Sequence, residues 1–109
     1  MPLTLLVHRA GDEAVLAARG AIDLATVDQL RAEVDALVDG DAPAVVLDLG
    51  DVSLLDSVGI SALLACRRLA DQHGRSFRVT GATGLVREVL DITGVWNHLT
   101  EPAGGDDHA

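Results

Sequence analysis

The sequence predicts an α/β domain: a mixed, mostly parallel sheet of about four to five strands, opened by an N-terminal β-hairpin and carrying about three to four helices. Three observations support that expectation. Short apolar runs alternate with longer segments whose apolar residues recur at helical spacing, and the segments follow one another as β β α β α β α. The chain's 109 residues suit one core of ordinary domain size. Residues 1–100 are therefore expected to form a single domain, with the small and acidic EPAGGDDHA at 101–109 as a flexible tail.

The elements follow in order. LTLLVH at 3–8 and AVLAARG at 14–20 are strand-like runs, and the turn-forming RAGDE between them makes a hairpin. From Asp23 to Asp39 the period changes: Val27, Leu30, Val34, Leu37 and Val38 share one face, while Asp28, Arg31, Glu33, Asp35 and Asp39 take the other. This is an amphipathic helix. Thr26 with Gln29 fits a capping box, and Gly40 stands where a left-handed residue ends a helix. After Pro43, the branched run AVVLDL reads as a central strand covered on both faces. A second helix, Ser57 to His73, places Ile60, Leu63, Leu64, Cys66, Leu69 and Ala70 on one broad face. Asp56 and Ser57 at its start, and Arg67, Arg68 and His73 toward its end, match the helix dipole. SFRVTGA is a short strand, TGLVREVLDITG a third helix burying Leu85, Val86, Val89 and Leu90, and VWNHLT a last short element in which Trp96 packs locally.

Composition then limits the function. Hydrophobic residues are 49% of the chain but aromatics only 2%, so the core must be Leu, Val, Ile and Ala. All eight basic residues are Arg, and the formal net charge is −9. Such a surface has no electrostatic footprint for phosphate backbones or anionic lipid, which disfavours nucleic acid and membrane insertion and points to a protein partner. Eleven acidic against three basic residues give residues 1–56 a net −8, so the acidity is concentrated in the first half. The lone Cys66 excludes an internal disulfide and fits a reducing compartment; with no leader-like start or bilayer-length apolar run, a cytoplasmic protein is expected.

Enzyme motifs are absent. Without Lys there is no GxxxxGK loop, no GxGxxG opens a helix, and His8, His73, His98 and His108 lack metal-ligand spacing. No cofactor and no metal are expected. Asp48, Asp51 and Asp56 could suggest magnesium, but a solvated loop with polar strand ends explains them more simply. The unusual stretch is LLDSVG at 54–59, where a strand-like run meets a helix start at Asp, Ser and Gly. Gly59 just inside a helix costs about 1 kcal/mol against Ala, so something must approach its backbone closely, and a phosphate at the helix N-terminus fits. The simpler reading makes Asp56 or Ser57 an N-cap.

VVLDLGDVSLLDSVGISALL resembles the signature of STAS domains of the anti-sigma factor antagonist type. GAIDLATVDQL at 20–30 resembles that family's acidic step before the first helix, and VREVLDITGVWNHL its third helix and closing segment, so the resemblance covers nearly all of 3–99. It implies a STAS fold and a role in bacterial transcription regulation, with no enzyme activity of its own. The implied phosphoacceptor is Ser57, modified by an anti-sigma factor that is a serine kinase and restored by a metal-dependent serine phosphatase. Binding of the unphosphorylated form to the anti-sigma factor frees the sigma factor, a partner switch. The same resemblance implies a partner-binding set of Asp23, Thr26, Asp56, Ser57, Val58, Gly59 and Ser61, on a monomer or weak dimer. The chain has Val58 where many members carry a second Ser or Thr, and Ser61 where many have Gly. The alternative is a non-switching STAS adaptor of a stressosome-like scaffold or a lipid-transport complex. A phosphoaspartate receiver, also α/β, is disfavoured because that family uses a Lys.

Overall fold

The hairpin predicted for the first 20 residues forms from β1 (Leu3–Ala10) and β2 (Glu13–Ile22), antiparallel with Ala10 opposite Glu13. The two-residue connection puts Gly11 at φ +62°, a conformation that side-chain-bearing residues rarely adopt. In the computed structural model, residues 2–100 are described, and the tail expected at 101–109 lies outside them. The remaining elements are α1 (Val27–Asp39), β3 (Ala44–Leu55), α2 (Ser57–Gln72), β4 (Ser76–Thr80), α3 (Gly84–Ile92) and α4 (Val95–Thr100).

The four strands lie in the order β1-β2-β3-β4, and only the β1–β2 pair is antiparallel. Both crossovers, through α1 and through α2, step the same way along the sheet, so the two helices lie side by side on one face. Helix α4 packs on β4 and α2, and α3 on β3. One core results. Leu16, Val45, Leu47, Phe77 and Val79 project from the sheet into Leu30, Val34 and Val38 of α1, Leu63, Cys66 and Ala70 of α2, Leu90 of α3 and Leu99 of α4.

Several expectations change. The strand begun by AVVLDL runs on to Leu55, so Asp48 and Asp51 sit in β3 and not in a solvated loop. Two register shifts against β2 break its alternation, and the Asp48 carboxylate accepts the Gly50 N–H (2.8 Å) at the first of them. Nor do helices cover both faces of β3. On the face away from the helices Val46 is buried, and the Arg78 guanidinium of β4 donates to Glu13 of β2 (3.0 Å) across the intervening strand. Thr26 and Gln29 form no capping box: the Thr26 hydroxyl donates to Ala21 O (2.8 Å), and the Gln29 amide donates to Leu3 O (2.8 Å). Gly40 closes α1 at φ −82°, outside the left-handed region, with its N–H directed to Ala36 O and Leu37 O. Leu85 is 75% exposed, because only Val86 and Leu90 of α3 reach the core. Arg67 is buried and donates to His98 O (2.7 Å), tying α2 to α4 where a dipole-neutralising surface charge was expected. Trp96 lies under the Arg87 guanidinium, 3.9 Å from the ring centroid.

Cys66 gives the alkaline stability of the protein a single cause. Burial pushes its thiol up from 9.0 to about 11, opposed in part by the positive charge of Arg31. The unfolded thiol loses its proton first, so the contribution is whole below about pH 9 and is lost as pH rises toward the folded value, by about 2 kcal/mol. With no Lys and no Tyr, no other side chain titrates in that window. Urea unfolding at about pH 8 and about pH 10.5 is expected to show the loss in the native sequence and not in Cys66→Ala. An equal loss in both proteins rejects the assignment.

Candidate functional site

The site grows from the ends of two neighbouring parallel strands. Ile22 and Leu55 are register partners at the close of β2 and β3, and the Asp56 N–H donates to Ile22 O (3.4 Å). The next residue on each strand is an aspartate, Asp23 on one and Asp56 on the other. Adjacent strands lie about 4.8 Å apart, so the backbone delivers the two carboxylate-bearing residues to one end of the sheet.

Each aspartate has a structural task. Asp23 Oδ1 accepts the Ala25 N–H (3.0 Å), and its carbonyl accepts the Thr26 and Val27 N–H groups (3.0 and 2.9 Å). Thr26 returns by accepting the Asp23 N–H on its hydroxyl (3.0 Å). These bonds fix the 23–26 turn and leave Leu24 at its tip, 75% exposed. Asp56 is the N-cap of α2: its carboxylate accepts the Gly59 N–H (2.8 Å) and its carbonyl the Ile60 N–H (2.9 Å). Asp56→Ala is therefore expected to cost about 0.5–2 kcal/mol in urea unfolding, and Asp56→Asn, which keeps the acceptor, most of an order less. Equal losses in the two variants mean that the cap is not what the residue contributes.

Ser57 opens α2 at its first helical position and is exposed. No hydrogen bond engages its hydroxyl among the described residues. Of the four donors at the start of this helix, those of Asp56 and Gly59 are taken, which leaves the Ser57 and Val58 amides facing outward. Val58 is 37% exposed, and Ser61 is exposed one turn below Ser57 on the same side of the helix.

Two members of the predicted set lie inside. Thr26 is 5% exposed with its hydroxyl spent on the turn. Gly59 is buried, and a Cβ there comes within 2.6 Å of Ile22 O and 2.7 Å of Leu55 Cδ1. What approaches its backbone is the protein's own β2–β3 end, where the sequence reading looked to a phosphate. Leu24 and Leu54, the latter 49% exposed, escaped that reading and add apolar surface to the same end of the sheet. No local signal marked Leu24, which stands three residues before Val27 and so keeps step with the Val27–Leu30–Val34 spacing of α1. Among the described residues no group of His, Cys, Asp and Glu converges as a metal site.

A family model described as "Mlab, STAS domain" matches residues 5–101. The chain belongs to the STAS family. Among solved structures, this STAS domain resembles an anti-sigma factor antagonist from Mycobacterium paratuberculosis at 30% identity and TM-score 0.80, over 90% of this chain and 83% of that one. The unphosphorylated anti-sigma factor antagonist SpoIIAA shares the fold at 18% identity and TM-score 0.75, over 95% of this chain and 91% of that one. Its phosphorylated form from Bacillus does so at 17% identity and TM-score 0.67, over 95% of each chain. No curated protein matches the chain. The STAS assignment agrees with the four-stranded sheet, its N-terminal hairpin and its four helices.

Proposed function

We propose that this STAS domain is an anti-sigma factor antagonist switched by phosphorylation of Ser57. The observation that carries the reading is an exposed serine at the first position of α2, its hydroxyl unused by the fold, directly after the Asp56 cap and beside the Asp23 turn. A kinase can reach that hydroxyl without unfolding the helix. A phosphate there meets two outward amides and the positive end of the helix dipole, worth about 0.3–1 kcal/mol, against repulsion from two nearby carboxylates of similar size. The fold thus tolerates the modification, and the added charge of about −1.5 to −2 acts at the interface. The 30%-identical mycobacterial antagonist supports the role. In this reading the partners are a cytoplasmic anti-sigma serine kinase, which brings the ATP, and a metal-dependent phosphatase. The protein itself is a regulatory binding module, not an enzyme.

The test is incubation with ATP and the candidate anti-sigma kinases, followed by intact-mass measurement of the native sequence and Ser57→Ala. One phosphate on the former and none on the latter is the expected result. The second reading is a non-switching STAS adaptor in a scaffold or lipid-transport complex, with which membership of the STAS family is equally compatible. It requires an unmodified Ser57 and a stable complex that Ser57→Asp leaves intact.

A further inference from the structure

We propose that β1 is an interface between two copies of this chain, joined antiparallel about a two-fold axis at Leu6 so that their sheets continue into one. The two edges of the sheet are built differently. The β4 edge is only five residues, Ser76–Thr80, and carries Arg78 at its centre, both of which discourage strand addition. The β1 edge is eight residues, pairs with β2 without a bulge, and has no proline within it. It also exposes Leu6 at 67% and Val7 at 44%.

Backbone geometry limits what can join it. In a two-residue hairpin the residues flanking the turn, Ala10 and Glu13, form a hydrogen-bonded pair, so His8, Leu6 and Thr4 also direct their backbone groups to β2. Leu3, Leu5, Val7 and Arg9 then direct theirs outward. The Gln29 amide on Leu3 O (2.8 Å) agrees with this alternation and engages one outward carbonyl at the very end of the strand. Outward groups pair in a symmetric antiparallel dimer only if odd positions face odd positions. Centring on Leu6 sets Leu5 against Val7 and Thr4 against His8 of the second copy, with Leu3, whose carbonyl Gln29 already engages, opposite Arg9 at the margin of the pairing. Leu6 then meets Leu6 of the second copy on one face of the joined sheet, and Val7 meets Leu5 on the other. Charge permits this meeting: the chain carries −9 overall, yet its first eleven residues contain no Asp or Glu and one Arg. Two copies can therefore meet along β1 without setting acidic side chains of that strand against each other.

Sedimentation equilibrium of the full chain up to about 1 mM is expected to show the mass rising from 11.3 kDa toward twice that value. Leu6→Glu, at an exposed position, is expected to keep the native circular dichroism and weaken dimerisation at least about tenfold, because like charges then sit directly opposite. Leu6→Cys should oxidise to a covalent dimer, its Cα atoms lying about 4.5 Å apart across a non-hydrogen-bonded pair. Thr4→Cys and His8→Cys should not, since each lies about 13 Å from its own copy. Native Cys66, at 2% exposure, does not compete. A monomer at every concentration overturns the proposal. So does a dimer unaffected by Leu6→Glu, or one in which Thr4→Cys or His8→Cys cross-links as readily as Leu6→Cys.

Discussion

Ser57→Asp is expected to bind the anti-sigma factor about thirtyfold to several thousandfold more weakly than the native sequence, with Ser57→Ala binding as the native sequence does. The direction follows from where charge has a partner and where it has none. Within the free domain, an anion at position 57 faces the outward amides of Ser57 and Val58 and the positive end of α2, so the stability of either variant should stay within about 1 kcal/mol of the native value. Within the complex, Asp23 and Asp56 already supply negative charge at the same end of the sheet, and Leu24, Leu54 and Val58 supply apolar surface. A further charge desolvated there without a cation opposite costs about 2–5 kcal/mol. Titration calorimetry with the anti-sigma factor reads the binding change, and urea unfolding reads the stability. Equal affinity in both variants and the native protein removes Ser57 from the switch. A loss of affinity accompanied by an equal loss of stability means that the substitution unfolds α2 and says nothing of recognition in the native domain.

Elements whose periodicity is local were legible in the sequence. The hairpin follows from two apolar runs around a Gly-containing turn, and α1 from apolar residues that keep a strict helical spacing from Val27 to Val38. The far half of β3 was not legible, since two bulges destroy the period of two just where the strand runs on toward Leu55. The spacing of Leu85 permits a place in the core. Only the direction from which α3 meets β3 decides that Val86 and Leu90 go in and Leu85 stays out. Thr26 and Gln29 satisfy the pattern of a capping box, yet Thr26 turns back to Ala21 O at the end of β2 and Gln29 reaches Leu3 O on β1. Polar side chains follow the geometry of acceptors, and a local motif cannot see acceptors brought by another strand.

The site divides along the same line. Asp56 and Ser57 are legible because a cap and the residue after it are consecutive in sequence. Asp23 reaches the same place through the β2–β3 register, a contact between residues more than thirty apart that no local pattern contains. The exposed Leu24 and Leu54 were missed for the related reason that an apolar residue in sequence reads as core, and only the fold reveals which ones are left uncovered.

Gly59→Ala is expected to destabilise the domain by about 1–3 kcal/mol, against the intrinsic preference of helices for Ala over Gly of about 1 kcal/mol. The added Cβ falls 2.6 Å from Ile22 O, 2.7 Å from Leu55 Cδ1 and 3.1 Å from Ile22 Cγ2. Leu55 Cδ1 can rotate away, at the cost of a poorer fit in the core. Ile22 O cannot, because it belongs to the backbone of β2 and accepts the Asp56 N–H (3.4 Å) at the point where the two strands end. The first turn of α2 must therefore lift, and lifting it draws the Gly59 N–H away from the Asp56 carboxylate, now 2.8 Å distant. Each lost kcal/mol should lower the melting temperature of a domain this size by about 4–8 °C, well within reach of a thermal scan. Ser61→Ala is the control: it makes a smaller gain in helix propensity of the same sign two residues on, at an exposed position, and should leave stability unchanged or slightly raised. Because Ser57 rides on the turn that moves, Gly59→Ala is also expected to weaken binding at the proposed partner surface, although residue 59 itself is buried. A Gly59→Ala protein as stable as Ser61→Ala would show that the strand ends can yield, and that this glycine is not what seats α2 against them.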